Sequence, residues 1–102
     1  MKIAKEYHGN VLVVAAAGEL DHHTAGALKG CIQEELAKGR VRNLVLDFTG
    51  LSFMDSSGLG VLLGRYKKLK AGGNSMYIKN ANRQIEKVFD VSGIYKIIKK
   101  IK

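Results

Sequence analysis

Two hydroxyls stand in Asp55-Ser56-Ser57-Gly58-Leu59-Gly60, between an apolar run that reads as a strand and an amphipathic run that reads as a helix. At a helix start such residues have two uses. Asp55 or Ser56 can cap, accepting a bond from first-turn amides worth about 1 kcal/mol. A serine there can also take a phosphoryl group, which adds up to about −2 charge and three acceptor oxygens. The phosphate would face free amides and the positive end of the helix dipole, so its own domain should stay folded. Its cost would fall on a partner covering the loop with apolar or acidic surface, where about 3 kcal/mol of desolvation and repulsion weakens a complex over a hundredfold. Asp55 enlarges the local negative charge. The residues by themselves leave Ser56 and Ser57 both open, and capping alone needs no further function.

Other chemistries fit less well. Gly58-x-Gly60-x-x-x-Gly64 resembles a dinucleotide-binding turn, but its last glycine is one residue too far along. The acidic residue expected about 20 positions on is also missing. No Gly-Lys-Ser/Thr occurs, which excludes a P-loop. The glycines read better as permitting close packing of a helix on a sheet or the near approach of another backbone. Asp21-His22-His23 suggests a metal, yet adjacent side chains diverge and no Cys or Glu at helical ligand spacing joins them. No Gly-x-Ser-x-Gly elbow supports a hydrolase. The expectation is a non-enzyme with no cofactor and no metal.

The elements that position these residues follow from periodicity and from glycine, Asn and Asp punctuation, since proline is absent. Lys2 to Tyr7 and Val11 to Ala17 read as strands joined by His8-Gly9-Asn10 in a hairpin, the second apolar enough to be buried on both faces. Leu28, Ile32 and Leu36 recur every fourth residue, with Ala25 and Cys31 beside them. They predict a helix over Thr24 to Lys38, capped by Asp21 or Thr24 and ended by Gly39. Asn43 to Phe48 is a buried strand and Thr49 to Met54 a loop. The next helix, Ser57 to Ala71, places Leu59, Leu62, Leu63, Tyr66 and Leu69 on one stripe, with Arg65, Lys67, Lys68 and Lys70 mostly away from it. Gly72-Gly73-Asn74 stops it. Ser75 to Lys79 is a strand, Asn82 caps a helix bearing Ile85, Val88 and Phe89, Ser92-Gly93 ends that helix, and Ile97, Ile98 and Ile101 form a last edge strand. The order β β α β α β α β predicts an α/β layer structure with parallel neighbours across the crossovers.

With 102 residues, 46% hydrophobic and 25% charged, the chain is expected to form one domain, residues 1–102, around a single core. The single cysteine, Cys31, excludes an internal disulfide and fits a reducing compartment. No stretch approaches the roughly 20 apolar residues of a membrane span, and Met1 to Asn10 is too polar for a signal peptide. A cytoplasmic location with no membrane partner is expected. The net charge of +8 is uneven. Through Gly64 there are six Lys or Arg against seven Asp or Glu, a balance of −1, and from Arg65 eleven against two, or +9. Such a field suits nucleic acid or an acidic partner, but without interleaved aromatic residues a solvated lysine face is the better reading. A nucleic-acid-binding or nucleotide-binding basic domain is therefore the alternative function.

Three segments carry a resemblance: Gly18-Glu19-Leu20-Asp21-His22-His23-Thr24, Leu51 to Gly60, and Phe89-Asp90-Val91-Ser92-Gly93. Together they resemble the bacterial anti-sigma factor antagonists of the STAS domain family, in order and over nearly the whole chain. The resemblance implies a mixed, largely parallel sheet with helices packed on it. It implies that Ser56 is phosphorylated by the anti-sigma factor, itself an ATP-dependent serine kinase. The unphosphorylated antagonist binds that kinase and frees the sigma factor, phosphorylation abolishes binding, and a phosphoserine phosphatase restores it. Asp21, in a loop near the phosphorylated serine, is expected to share the partner-binding surface with Asp55, Ser57 and Gly58. Sporulation and stress-response members share the serine motif, and the Asp-His-His-Thr run is nearer the sporulation type. Against the family pattern, the tail to Lys102 is short by an expected final helix, and the C-terminal third is more basic.

Overall fold

A computed structural model describes every residue from Met1 to Lys102. β1 (Lys2–His8) and β2 (Val11–Leu20) form the expected antiparallel hairpin, pairing Lys2 with Ala17 through to His8 with Val11. α1 (Ala25–Ala37), β3 (Asn43–Asp47), β4 (Leu51–Met54), α2 (Ser56–Ala71), β5 (Ser75–Lys79) and α3 (Arg83–Ser92) follow. A 3-10 turn, Ile94–Lys96, leads to β6 (Lys99–Ile101). The six-stranded sheet runs β1-β2-β3-β5-β6, with β4 beside β2, and every pairing except β1 with β2 is parallel.

β4 departs from the expected loop. β2 is long enough to serve two neighbours: Val11 to Ala15 pair with β3, and Gly18 to Leu20 pair with β4 across a register shift after Gly18. The order is thus β β α β β α β α β. β2 also differs from the expected doubly buried strand. Leu12, Val14 and Ala16 are buried against the helices, whereas Val11, Val13 and Ala15 on the opposite face are only half-buried. β6 is the expected edge strand but begins after Ile98, which is buried, while Ile97 points out.

One cluster joins the inner strand positions Leu12, Val14, Leu44, Leu46, Met76 and Ile78 to Leu28 and Ile32 of α1, Leu62 and Leu69 of α2, and Ile85 and Phe89 of α3. Asn82 caps α3 by accepting the Ile85 amide at 2.9 Å, as expected, and Gly93 ends it at φ 74°, a left-handed conformation that suits a residue without Cβ. Two charged residues share the helices' inner faces. Glu35, buried on α1, accepts bonds from the Tyr7 hydroxyl at 2.7 Å, Lys38 Nζ at 3.0 Å and Lys5 Nζ at 3.1 Å. Arg65 is only 7% exposed, whereas Leu63, expected on the buried stripe, is 37% exposed. The α2 stripe therefore runs through Gly58, Leu62, Arg65 and Leu69.

Candidate functional site

β2 and β4 are parallel neighbours that end together, Leu20 opposite Met54. The Asp55 amide donates to the Leu20 carbonyl at 3.2 Å, so the residues just past the two strands, Asp21 and Asp55, are brought side by side. Phe53, in β4, remains 39% exposed on the same rim. The strand that sequence periodicity misses is thus the one that assembles the site.

The Asp55 carboxylate caps α2, accepting the Ser57 amide at 2.8 Å, and its carbonyl takes the Gly58 and Leu59 amides. Ser56 is therefore the first helical residue rather than the cap. Its side chain is exposed, its hydroxyl bonds to no protein group, and its amide is free at the positive end of the helix dipole. The Ser57 side chain is half-buried.

Gly58 is buried. A Cβ there would lie 2.7 Å from Met54 Cγ and 3.0 Å from Leu20 Cδ2, so only glycine lets α2 start directly on the ends of β2 and β4. Its expected place on a partner surface is indirect: it sets the depth at which Ser56 sits. Gly58, Gly60 and Gly64 all lie within α2, so this run forms no phosphate-cradling loop.

Asp21 closes a tight turn. Its carboxylate accepts the His23 amide at 2.9 Å and the Thr24 amide at 3.1 Å, and the Thr24 hydroxyl donates to the Glu19 carbonyl at 2.8 Å. The His23 amide first, then the Thr24 groups, hold the Asp21 carboxyl below the usual carboxylate range. Thr24 precedes α1 without capping it through its side chain; Asp21 satisfies the entry instead. No group of three or more His, Cys, Asp or Glu side chains converges as metal ligands.

An apolar surface missed by the sequence reading flanks Ser56. Leu59, one turn along α2, lines a shallow cavity of about 360 Å³ with Lys87, Val88, Val91 and Ser92, and Val91 is 90% exposed. The signal was present in Phe89-Asp90-Val91, where Val91 falls off the α3 stripe of Ile85 and Phe89.

Residues 2–102 match the family model described as the STAS domain. The chain belongs to the STAS domain family. An anti-sigma F factor antagonist of Paenibacillus polymyxa is 40% identical over 98 residues, covering 96% of this chain and 84% of the relative. An anti-sigma-B factor antagonist of Bacillus subtilis (strain 168) is 33% identical over 89 residues, 87% of this chain and 80% of the relative. Among solved structures, the anti-sigma factor antagonist SpoIIAA in its unphosphorylated form superposes with a TM-score of 0.79 at 29% identity, covering 99% of this STAS domain and 88% of that chain. The Bacillus cell fate determinant SpoIIAA in the phosphorylated form gives 0.78 at 31%, with 99% and 92% covered. The mixed sheet implied by the resemblance is the fold observed. No helix of this STAS domain is long and apolar enough to cross a membrane.

Proposed function

We propose that this STAS domain is an anti-sigma factor antagonist, a regulatory binding protein whose unphosphorylated form captures an anti-sigma factor serine kinase and releases the sigma factor. The observation that carries the reading is the exposed, unbonded Ser56 hydroxyl at the start of α2, beside the Asp21 turn. The partner surface comprises Asp21, Asp55 and Ser57, the apolar Phe53, Leu59 and Val91, and the backbone held close by Gly58. Phosphorylation of Ser56 sets about two negative charges beside Asp21 and Asp55 on this surface and ends binding. A phosphoserine phosphatase restores it. The exchange takes place in the cytoplasm, where kinase and ATP meet the domain.

The relatives named for sigma F and for sigma B both support the class, and the higher identity of the sigma F relative supports the sporulation type. Incubation with the cognate anti-sigma kinase and ATP, followed by peptide mass spectrometry, should place phosphate on Ser56. Modification of Ser57 with Ser56 untouched would overturn the site assignment.

A further inference from the structure

We propose that the sheet face left open by the helices packs against the same face of a second copy of the chain, in a two-fold dimer. α1, α2, α3 and the 3-10 turn all join the core from one side, against inner strand positions such as Leu12, Leu44 and Met76. The other side of the sheet carries no layer of its own.

The strand registers define that open face row by row. Glu6 lies beside Val13, Val13 beside Val45, Val45 beside Tyr77, and Tyr77 beside Lys99. Neighbours in such a row project to one side of the sheet, and residues next along each strand project to the other. Val13 and Tyr77 are accordingly half-buried, whereas Leu12, Val14, Met76 and Ile78 are buried under the helices. The row is thus acidic at the β1 edge, apolar over the three central strands and basic at the β6 edge. In the next row Ala4 lies beside Ala15, and Lys79 beside Ile101, with Asp47 between the two pairs.

A row with opposite charges at its ends and an apolar middle is complementary to its own reversal. A two-fold axis lying in the interface along β3 performs that reversal. Glu6 of each copy then faces Lys99 of the other, Val13 faces Tyr77, Ala4 faces Ile101, and Val45 meets its counterpart at the axis. One patch serves both partners, as an isologous interface requires. The strands of the two copies stay aligned, the usual relation of sheets stacked about 10 Å apart.

The charges are free to pair in this way. Lys99 has no ion-pair partner within the chain, and Glu6 has only the exposed His8 at 3.4 Å. Asp47 also meets its counterpart, but its carboxylate already accepts the Thr49 hydroxyl at 2.6 Å and amide at 3.0 Å and lies beside Lys79. A uniformly acidic or basic partner would satisfy one edge of the row only; a second copy satisfies both.

Five strands about 4.8 Å apart and five residues rising about 3.3 Å each give a flat area of roughly 400 Å², about half of what each partner buries in a standard stable interface. The dimer is therefore weak and populated at high concentration. Because the axis follows the strands, both sets of strand carboxyl ends, and with them both Ser56 residues, lie at one end of the dimer and clear of the interface.

The test is sedimentation equilibrium of the full chain at low salt, from micromolar to millimolar concentration. The average mass should rise from that of the monomer toward twice that value, and ¹⁵N amide shifts should change with concentration at Val13, Val45 and Tyr77. Glu6→Lys and Lys99→Glu, both at exposed positions, each set like charges face to face twice over and should each weaken association about tenfold with Tm unchanged. Combined in one chain, they restore both pairs with the signs exchanged, and association should return. A monomer at every concentration, concentration-dependent shifts confined to the helices, or a double variant that associates no better than the single ones would each overturn the proposal.

Discussion

Asp55 Oδ1 accepts the Ser57 amide at 2.8 Å, and that bond separates two serines that the sequence leaves equivalent. It ties the Ser57 amide to the cap, with the Ser57 side chain half-buried, whereas Ser56, the first helical residue, stays exposed and free of protein hydrogen bonds. Ser57→Ala should therefore still be phosphorylated by the anti-sigma kinase, whereas Ser56→Ala should not, in a radiolabel transfer assay. Asp55→Ala removes the cap and should lower unfolding free energy by about 1 kcal/mol in urea; Asp55→Asn, which can still accept the amide, should lose only a few tenths.

The charge at Ser56 should act on the partner and spare the fold. Nothing packs on the side chain, and a negative group there meets the free Ser56 amide and the helix dipole. Ser56→Asp should unfold within about 0.5 kcal/mol of the parent while binding the anti-sigma factor about a hundredfold more weakly by calorimetry. Ser56→Ala should retain affinity. Equal affinities for the two variants would count against charge gating.

Most of the elements were legible because their apolar periods survive in the fold: Leu28 and Ile32 on α1, Leu44-Val45-Leu46 in β3, and Ile85 and Phe89 on α3 are buried as read. β4 was not, since four residues with a register shift and two exposed central positions give no alternation to detect. Because β4 aligns Asp21 with Asp55, residue patterns gave the two halves of the site separately, and only the family resemblance implied their juxtaposition. Arg65 was expected to face outward and Glu35 was not singled out, for one reason. Each falls on its helix's inner stripe, Leu28-Ile32-Glu35 and Leu62-Arg65-Leu69, where a charged residue type gives no apolar signal although the backbone period turns it inward. Glu35 is then satisfied by three donors, whereas Arg65 is not paired at all.

Gly58→Ala offers a test of how tightly α2 is set on the strands. Alanine is the better helix former by about 1 kcal/mol, so an open position would gain stability. At Gly58 the added methyl would meet Met54 and Leu20, both packed in the core, and overpacking typically costs about 1–3 kcal/mol. The expected result is a net loss of about 1 kcal/mol in denaturant unfolding, with partner affinity reduced as the first turn lifts. At Gly60, where an added methyl would meet nothing within 4 Å, the same change should stabilise.

Glu35 should govern stability in acid. The Tyr7 hydroxyl first, then Lys38 and Lys5, hold its carboxyl down to about 2 from an ordinary 4.5. The folded state therefore releases this proton more readily than the unfolded chain. Its contribution is fully present above pH 4.5 and is lost as pH falls from there toward 2. Glu35→Gln removes the titration and retains one acceptor for Tyr7 or a lysine. The variant should be less stable than the parent at neutral pH, and the gap should close as urea unfolding is repeated at successively lower pH. A gap that stays constant across that window would show that the Tyr7, Lys5 and Lys38 bonds do not favour the ionised carboxylate.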